Sequence, residues 1–216
     1  MPDYTQQRIN MVESQVRTND VTDVRIQNAM RAIPRELFVP EEKRPLTYAD
    51  TVLQLENGRF LLDPRTFSKL AELAQIAPGD RVLDVGCATG YSTAVLGQLA
   101  PNVIGLEISG ELAREASRAL SLLNIPIHVV SGSLNEGHAA GAPYDVIFIN
   151  GAVEVEPTLL LEQLADDGRL VAIVRNGARS RAHVYVREHG TLSARPDFDS
   201  YVPVLPGFTR AKTFAF

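Results

Sequence analysis

A doubly wound, mainly parallel α/β sheet with an N-terminal helical cap is the fold this sequence predicts, on three observations. From residue 81 onward, short apolar runs alternate with helix-like stretches at intervals of roughly 15 to 25 residues, the rhythm of right-handed crossovers. The first of those runs ends in a glycine-bearing turn, Asp84-Val85-Gly86-Cys87-Ala88-Thr89-Gly90. Upstream, residues 4–33 carry Ile9, Val12, Val16, Val21, Val24, Ala29 and Ile33 at helix-like spacings.

Asp20 to Asp23 reads as a turn with an N-cap, which divides the first segment into two helices. Pro34, Pro40 and Pro45 mark an irregular stretch, and residues 46–64 hold no clean period. Helix returns at 65–77 and stops at Ala77-Pro78-Gly79-Asp80. Then RVLDVG is a strand, YSTAVLGQLA a helix, NVIGLEI a strand, GELAREASRALSLL a helix and IPIHVV a strand. YDVIFIN is a strand, PTLLLEQLA a helix and GRLVAIV a strand, while RAHVYVRE, VPVL and TFAF read as terminal strands in antiparallel pairing.

The composition narrows the function classes. With 45% apolar and 22% charged residues in 216, the chain has the make-up of a globular protein with a real core. A net charge of −5 argues against a nucleic-acid partner, because phosphate binding calls for a basic surface. The single cysteine, Cys87, allows no internal disulfide and suits a reducing cytoplasm. No run approaches the roughly 18 apolar residues of a membrane span, and the N-terminus lacks a signal peptide's apolar centre, so a soluble cytoplasmic protein is expected. His128, His138, His183 and His189 are scattered without ligand spacing, which points to no metal site.

The glycine turn carries the chemistry. A dinucleotide site would read G-x-G-x-x-G. Here Gly86 and Gly90 stand as G-x-x-x-G behind Asp84, the pattern [DE]-x-G-x-x-x-G of class I methyltransferases. Asp84 suits the cationic amino group of S-adenosylmethionine. Glu107, with Ile108 beside it, ends the second strand 17 residues beyond Gly90, where a carboxylate accepts hydrogen bonds from both ribose hydroxyls. Ser133 and Leu134, after the third strand, are placed near the adenine.

These stretches resemble the protein-L-isoaspartate O-methyltransferase family over most of the chain. The matching residues are Ile33 to Pro40 (IPRELFVP), Tyr48-Ala49-Asp50, Pro78 to Tyr91 (PGDRVLDVGCATGY), Ala142 to Ile147 (APYDVI), GRLVAIV, and Tyr201 to Leu205 (YVPVL). The resemblance implies a Rossmann-like methyltransferase core from 78 to 216, with a helical cap and substrate loop over 1–77. It also implies S-adenosyl-L-methionine as cofactor and methylation of isoaspartyl carboxylates in damaged proteins, a repair reaction. The substrate loop departs from the family: its glutamine aligns with Arg59, its threonine with Phe60 and its catalytic serine with Leu62, while the acidic residue after the third strand aligns with Ser133.

Arg59 and Asp63 are therefore the residues to weigh as catalytic. Arg59 reads as a solvated loop arginine or as a charge-assisted donor to a carboxylate; Asp63, just before Pro64, reads as a helix N-cap or as a base. Two other functions stay open: a methyltransferase with a small, more apolar acceptor bounded by Phe60, Leu61 and Leu62, and a cofactor-binding protein without turnover. The partner expected is a peptide or protein substrate, or that apolar acceptor. Asn57 to Pro64 is expected beside the glycine loop.

Overall fold

The computed structural model describes residues 3–211. Its first helix, α1 (Tyr4–Met11), is capped by Asp3 and continues through a wider turn at Val12–Val16 and a tighter one at Arg17–Asn19. Asp20, at φ 63°, breaks the run. The Asp23 side chain accepts from the Arg25 N–H at 2.8 Å and starts α2 (Val24–Ala32). Two tight helical turns follow at Arg35–Phe38 and Glu41–Leu46. A small antiparallel hairpin comes next, β1 (Leu53–Gln54) paired with β2 (Phe60–Leu61).

α3 (Pro64–Ala74) buries Phe67, Leu70, Ala71 and Ala74, the i, i+3, i+4, i+7 stripe of a core-facing helix. It ends where Gln75 turns left-handed at φ 47°. Beyond it lie β3 (Arg81–Val85), α4 (Tyr91–Leu96), β4 (Asn102–Glu107), α5 (Gly110–Leu122), β5 (His128–Ser131), β6 (Tyr144–Val153), α6 (Thr158–Leu161), β7 (Leu164–Asn176), β8 (Arg179–Glu188) and β9 (Thr191–Asp199). The large sheet has the order β5-β4-β3-β6-β7-β8-β9. Its first five strands are parallel, and β8 and β9 are antiparallel. The strand order reverses between β3 and β6, and open α/β sheets bind ligands in the crevice outside the carboxyl ends of the strands at such a point. α3 packs on β6 and β7, with Phe67 and Phe148 ring centroids 5.5 Å apart, so the N-terminal segment and the sheet share one core.

Three expectations need correction. The helix read over 157–165 is one turn, α6, because Leu164 pairs with Tyr144 and draws the chain onto the sheet. β9 (TLSARPDFD) went unread because it is exposed along nearly its whole length and shows no apolar alternation. VPVL makes a single bridge, Val204 to Ala152, rather than a strand. TFAF lies outside the described residues.

Candidate active site

Asp84 is the penultimate residue of β3 and faces inward. It is fully buried, and Oδ2 accepts from the hydroxyls of Ser92 at 2.7 Å and Thr93 at 2.6 Å, both on α4, while Oδ1 accepts from the Asn150 amide of β6. The Asp84 carboxylate thus ties α4 and β6 to the loop. Three of its roughly four acceptor positions are so engaged. Burial pushes its carboxyl up to about 6, against the three donors, which favour the charged form. Gly86 and Gly90 take φ of 78° and 93°, which shape the loop as only glycine does without strain, and a Cβ at Gly90 would lie 2.9 Å from the Ala116 side chain.

Glu107 ends β4 and is equally buried. Its carboxylate accepts the N–H groups of Ala88 (2.7 Å), Ile108 (3.0 Å) and Ser109 (3.1 Å), fixing the glycine loop and the start of α5 around one charge. The remaining acceptor positions are taken by Arg59. Its Nε donates to Oε1 at 2.9 Å and its Nη2 to Oε2 at 3.1 Å and to the Gly86 carbonyl at 3.0 Å. Arg59 is therefore neither solvated nor poised over an acceptor: it is 1% exposed, paired with the residue expected to hold the ribose. Its Nη1 is buried and has no partner among the described residues. Leu205, brought in by the bridge at Val204, covers Gly86 and Gly151. Ile108 is exposed, Ser133 half-buried and Leu134 fully buried at the same end of the sheet.

The loop carrying Arg59 does reach the glycine turn. Phe60, Leu61 and Leu62 are all buried, so they act as packing and leave no open apolar pocket of their own. Sequence reasoning missed what holds them. Arg35 is buried, donates to the carbonyls of Thr47 (3.0 Å) and Leu62 (2.7 Å), and stacks 4.6 Å over the Tyr91 ring. Thr89 of the glycine loop donates to the Phe38 carbonyl at 2.5 Å. The signal was present in IPRELFVP, whose arginine and phenylalanine clamp the substrate loop to the cofactor loop.

Asp63 accepts from the Thr66 N–H at 2.8 Å and caps α3, the first of its two sequence readings. Asp63→Ala is expected to lower unfolding stability by about 1 kcal/mol, as losing a cap does, measured by urea denaturation. An unchanged midpoint would mean that the cap is not formed. Asp63 also lines an open groove of about 1040 Å³ with Asp50, Arg65, Arg179, Arg181 and Tyr201. Among the described residues no group of three or more His, Cys, Asp or Glu is placed to hold a metal, and no helix is long and apolar enough to cross a membrane.

A parallel sheet reversing between β3 and β6, a glycine turn after β3 and a carboxylate at the end of β4 define the class I methyltransferase fold. The model of the protein-L-isoaspartate(D-aspartate) O-methyltransferase (PCMT) family matches residues 6–207, and the chain belongs to that family. A protein-L-isoaspartate O-methyltransferase of Koribacter versatilis is 38% identical over 200 residues, 92% of this chain and 90% of that protein. Protein-L-isoaspartate O-methyltransferase 1 of Rhodopseudomonas palustris is 38% identical over 185 residues, 85% of this chain and 75% of that protein. A solved protein-L-isoaspartate O-methyltransferase superposes with a TM-score of 0.81 at 24% identity, covering 94% of this chain and 66% of its own. A Plasmodium falciparum chain described as a β-aspartate methyltransferase, in complex with S-adenosyl-L-homocysteine, superposes at 0.79 with 20% identity, covering 92% of this chain and 97% of its own.

Proposed function

We propose that this protein is an S-adenosylmethionine-dependent O-methyltransferase acting on isoaspartyl carboxylates of damaged proteins. One observation carries the reading: the Glu107 carboxylate is fixed by three backbone N–H groups at the carboxyl end of β4, beside the Gly86–Gly90 turn. A buried, pre-oriented carboxylate at that crevice suits a vicinal ribose diol, and the residues fit the cofactor once Arg59 has left Glu107. Glu107 would then hold the ribose. Gly86 would allow close approach of the cofactor, Gly90 would let the loop pack on Ala116, and Ile108, Ser133 and Leu134 would lie beside the adenine.

The bound cofactor supplies an electrophilic methyl group on a sulfonium. The acceptor carboxylate, with a pKa near 4, is already ionised at neutral pH, so this chain needs no strong base. Its task is to align the acceptor and exclude water. Arg35 would serve alignment by fixing the Leu62 backbone, and the open groove beside Asp63 would carry the peptide. Leu62 stands, buried, where the family's serine aligns, and the cost of one lost hydroxyl is about 1–3 kcal/mol, or roughly 5- to 150-fold in rate.

The test is methyl incorporation from labelled cofactor into an isoaspartyl peptide, with the aspartyl isomer as control. Transfer to the isoaspartyl peptide is expected, and Leu62→Ser is expected to raise kcat/KM within that range at a temperature where the fold is intact. Cofactor binding with no transfer to the isoaspartyl peptide by either protein would overturn the proposal.

A further inference from the structure

The cofactor crevice is closed by the protein's own side chain. Arg59 places two N–H groups on the two oxygens of Glu107, at 2.9 and 3.1 Å, in the arrangement that a pair of ribose hydroxyls would require. Its Nη2 lies 2.9 Å from where a Cβ on Gly86 would be, so it fills the space that the glycine leaves open. Both ligands cannot be held at once. A carboxylate has about four acceptor positions, and three backbone N–H groups already use part of Glu107's capacity. Those three donors belong to the walls of the site, whereas Arg59 arrives from a separate segment and can leave without dismantling it.

The segment is built for such a departure. Arg59 follows the turn Glu56–Gly58, in which Asn57 and Gly58 both take positive φ, 54° and 70°. The β1–β2 ladder behind it has two residue pairs, Leu53 with Leu61 and Gln54 with Phe60. Nη1, buried and without a partner among the described residues, shows that the seat does not satisfy the whole guanidinium. In water all five of its donors would be met.

We infer that Arg59 is an internal competitor for the ribose site: it stands on Glu107 in the free protein, and the cofactor binds by expelling it. This rests on the cofactor reading above and adds a residue that sets cofactor affinity. Expulsion leaves no oxygen of Glu107 without a donor, because the ribose hydroxyls replace the guanidinium there while Arg59 passes to water.

The test is calorimetric titration of S-adenosylhomocysteine into the full chain, as wild type and as Arg59→Ala. The variant is expected to bind at least tenfold more tightly, since it has nothing to expel. Equal or weaker binding by a folded Arg59→Ala protein overturns the competition and leaves the cofactor reading standing. Binding to neither protein overturns the cofactor reading and the competition with it. Hydrogen exchange on wild type gives a second readout that does not depend on the variant folding. The ligand should speed exchange of the Leu55 and Arg59 amides, which donate to the carbonyls of Arg59 and Glu56, while slowing exchange at Gly86–Gly90. Protection at both places overturns the competition as well.

Discussion

Glu107→Ala is expected to remove about 3–5 kcal/mol from the unfolding free energy, as breaking one side of a buried ion pair does. The loss is large because the substitution strands Arg59, 1% exposed, without its counter-charge. It also frees the buried N–H of Ala88 and the partly buried N–H groups of Ile108 and Ser109. Against a typical total of about 5–15 kcal/mol, this would leave a marginal protein. Arg59→Ala should cost less, because Glu107 keeps its three backbone donors. Urea denaturation of both variants, followed by circular dichroism, compares them directly. A loss below about 1 kcal/mol for Glu107→Ala would mean that the buried pair does not form in solution.

Asp84 gives the protein a pH dependence of definite sign. Desolvation raises its carboxyl from 3.8 to about 6 in the folded state, the Glu107 charge adds to the effect, and Ser92, Thr93 and Asn150 oppose it. A raised folded pKa means that the folded protein binds the proton more tightly than the unfolded chain. The stabilisation is therefore fully present below about 3.8 and lost as pH rises through about 6. Asp84→Asn keeps the shape and cannot titrate. The Asn150 amide can turn over to accept from the new side chain, and the Ser92 and Thr93 hydroxyls can reorient. Relative to that variant, wild type should lose about 2–3 kcal/mol between pH 4 and pH 7, from a shift of roughly two units at about 1.4 kcal/mol each. Denaturation curves for both proteins at the two pH values measure it. A difference that stays flat, or grows with pH, would show that Asp84 ionises as freely in the folded state as in the unfolded one.

Much of the fold was legible because burial writes a period into the chain. α3 and α5 carry apolar stripes at helical spacing, and β3, β4 and β6 are short runs of branched side chains in a sheet covered on both faces. Asp63 was legible as a cap, since an aspartate before proline at a helix start has one dominant local use. The site was only half legible. The place of Glu107 at the end of the second parallel strand was legible, but the burial of Arg59 was not, because a lone arginine in a loop gives no sign of a partner 48 residues away. The direction in which Asp84 points was hidden for the same reason: it is set by hydroxyls one turn into the next helix and by an amide on β6. Contacts of that kind depend on strand neighbours that no local pattern records.

β9 has a bearing on how the molecule keeps to itself. Among the described residues it is bonded to β8 on one side only, so its outer row of backbone groups is a template on which another chain's strand can align. Pro196 interrupts that row with a residue that has no N–H, and Arg195, Asp197 and Asp199 set charges along the same short stretch. An incoming strand would find a donor missing and would have to shed water from those charges to lie flush. The residues that made β9 unreadable as a strand are thus the ones that discourage the sheet from growing into a neighbouring molecule.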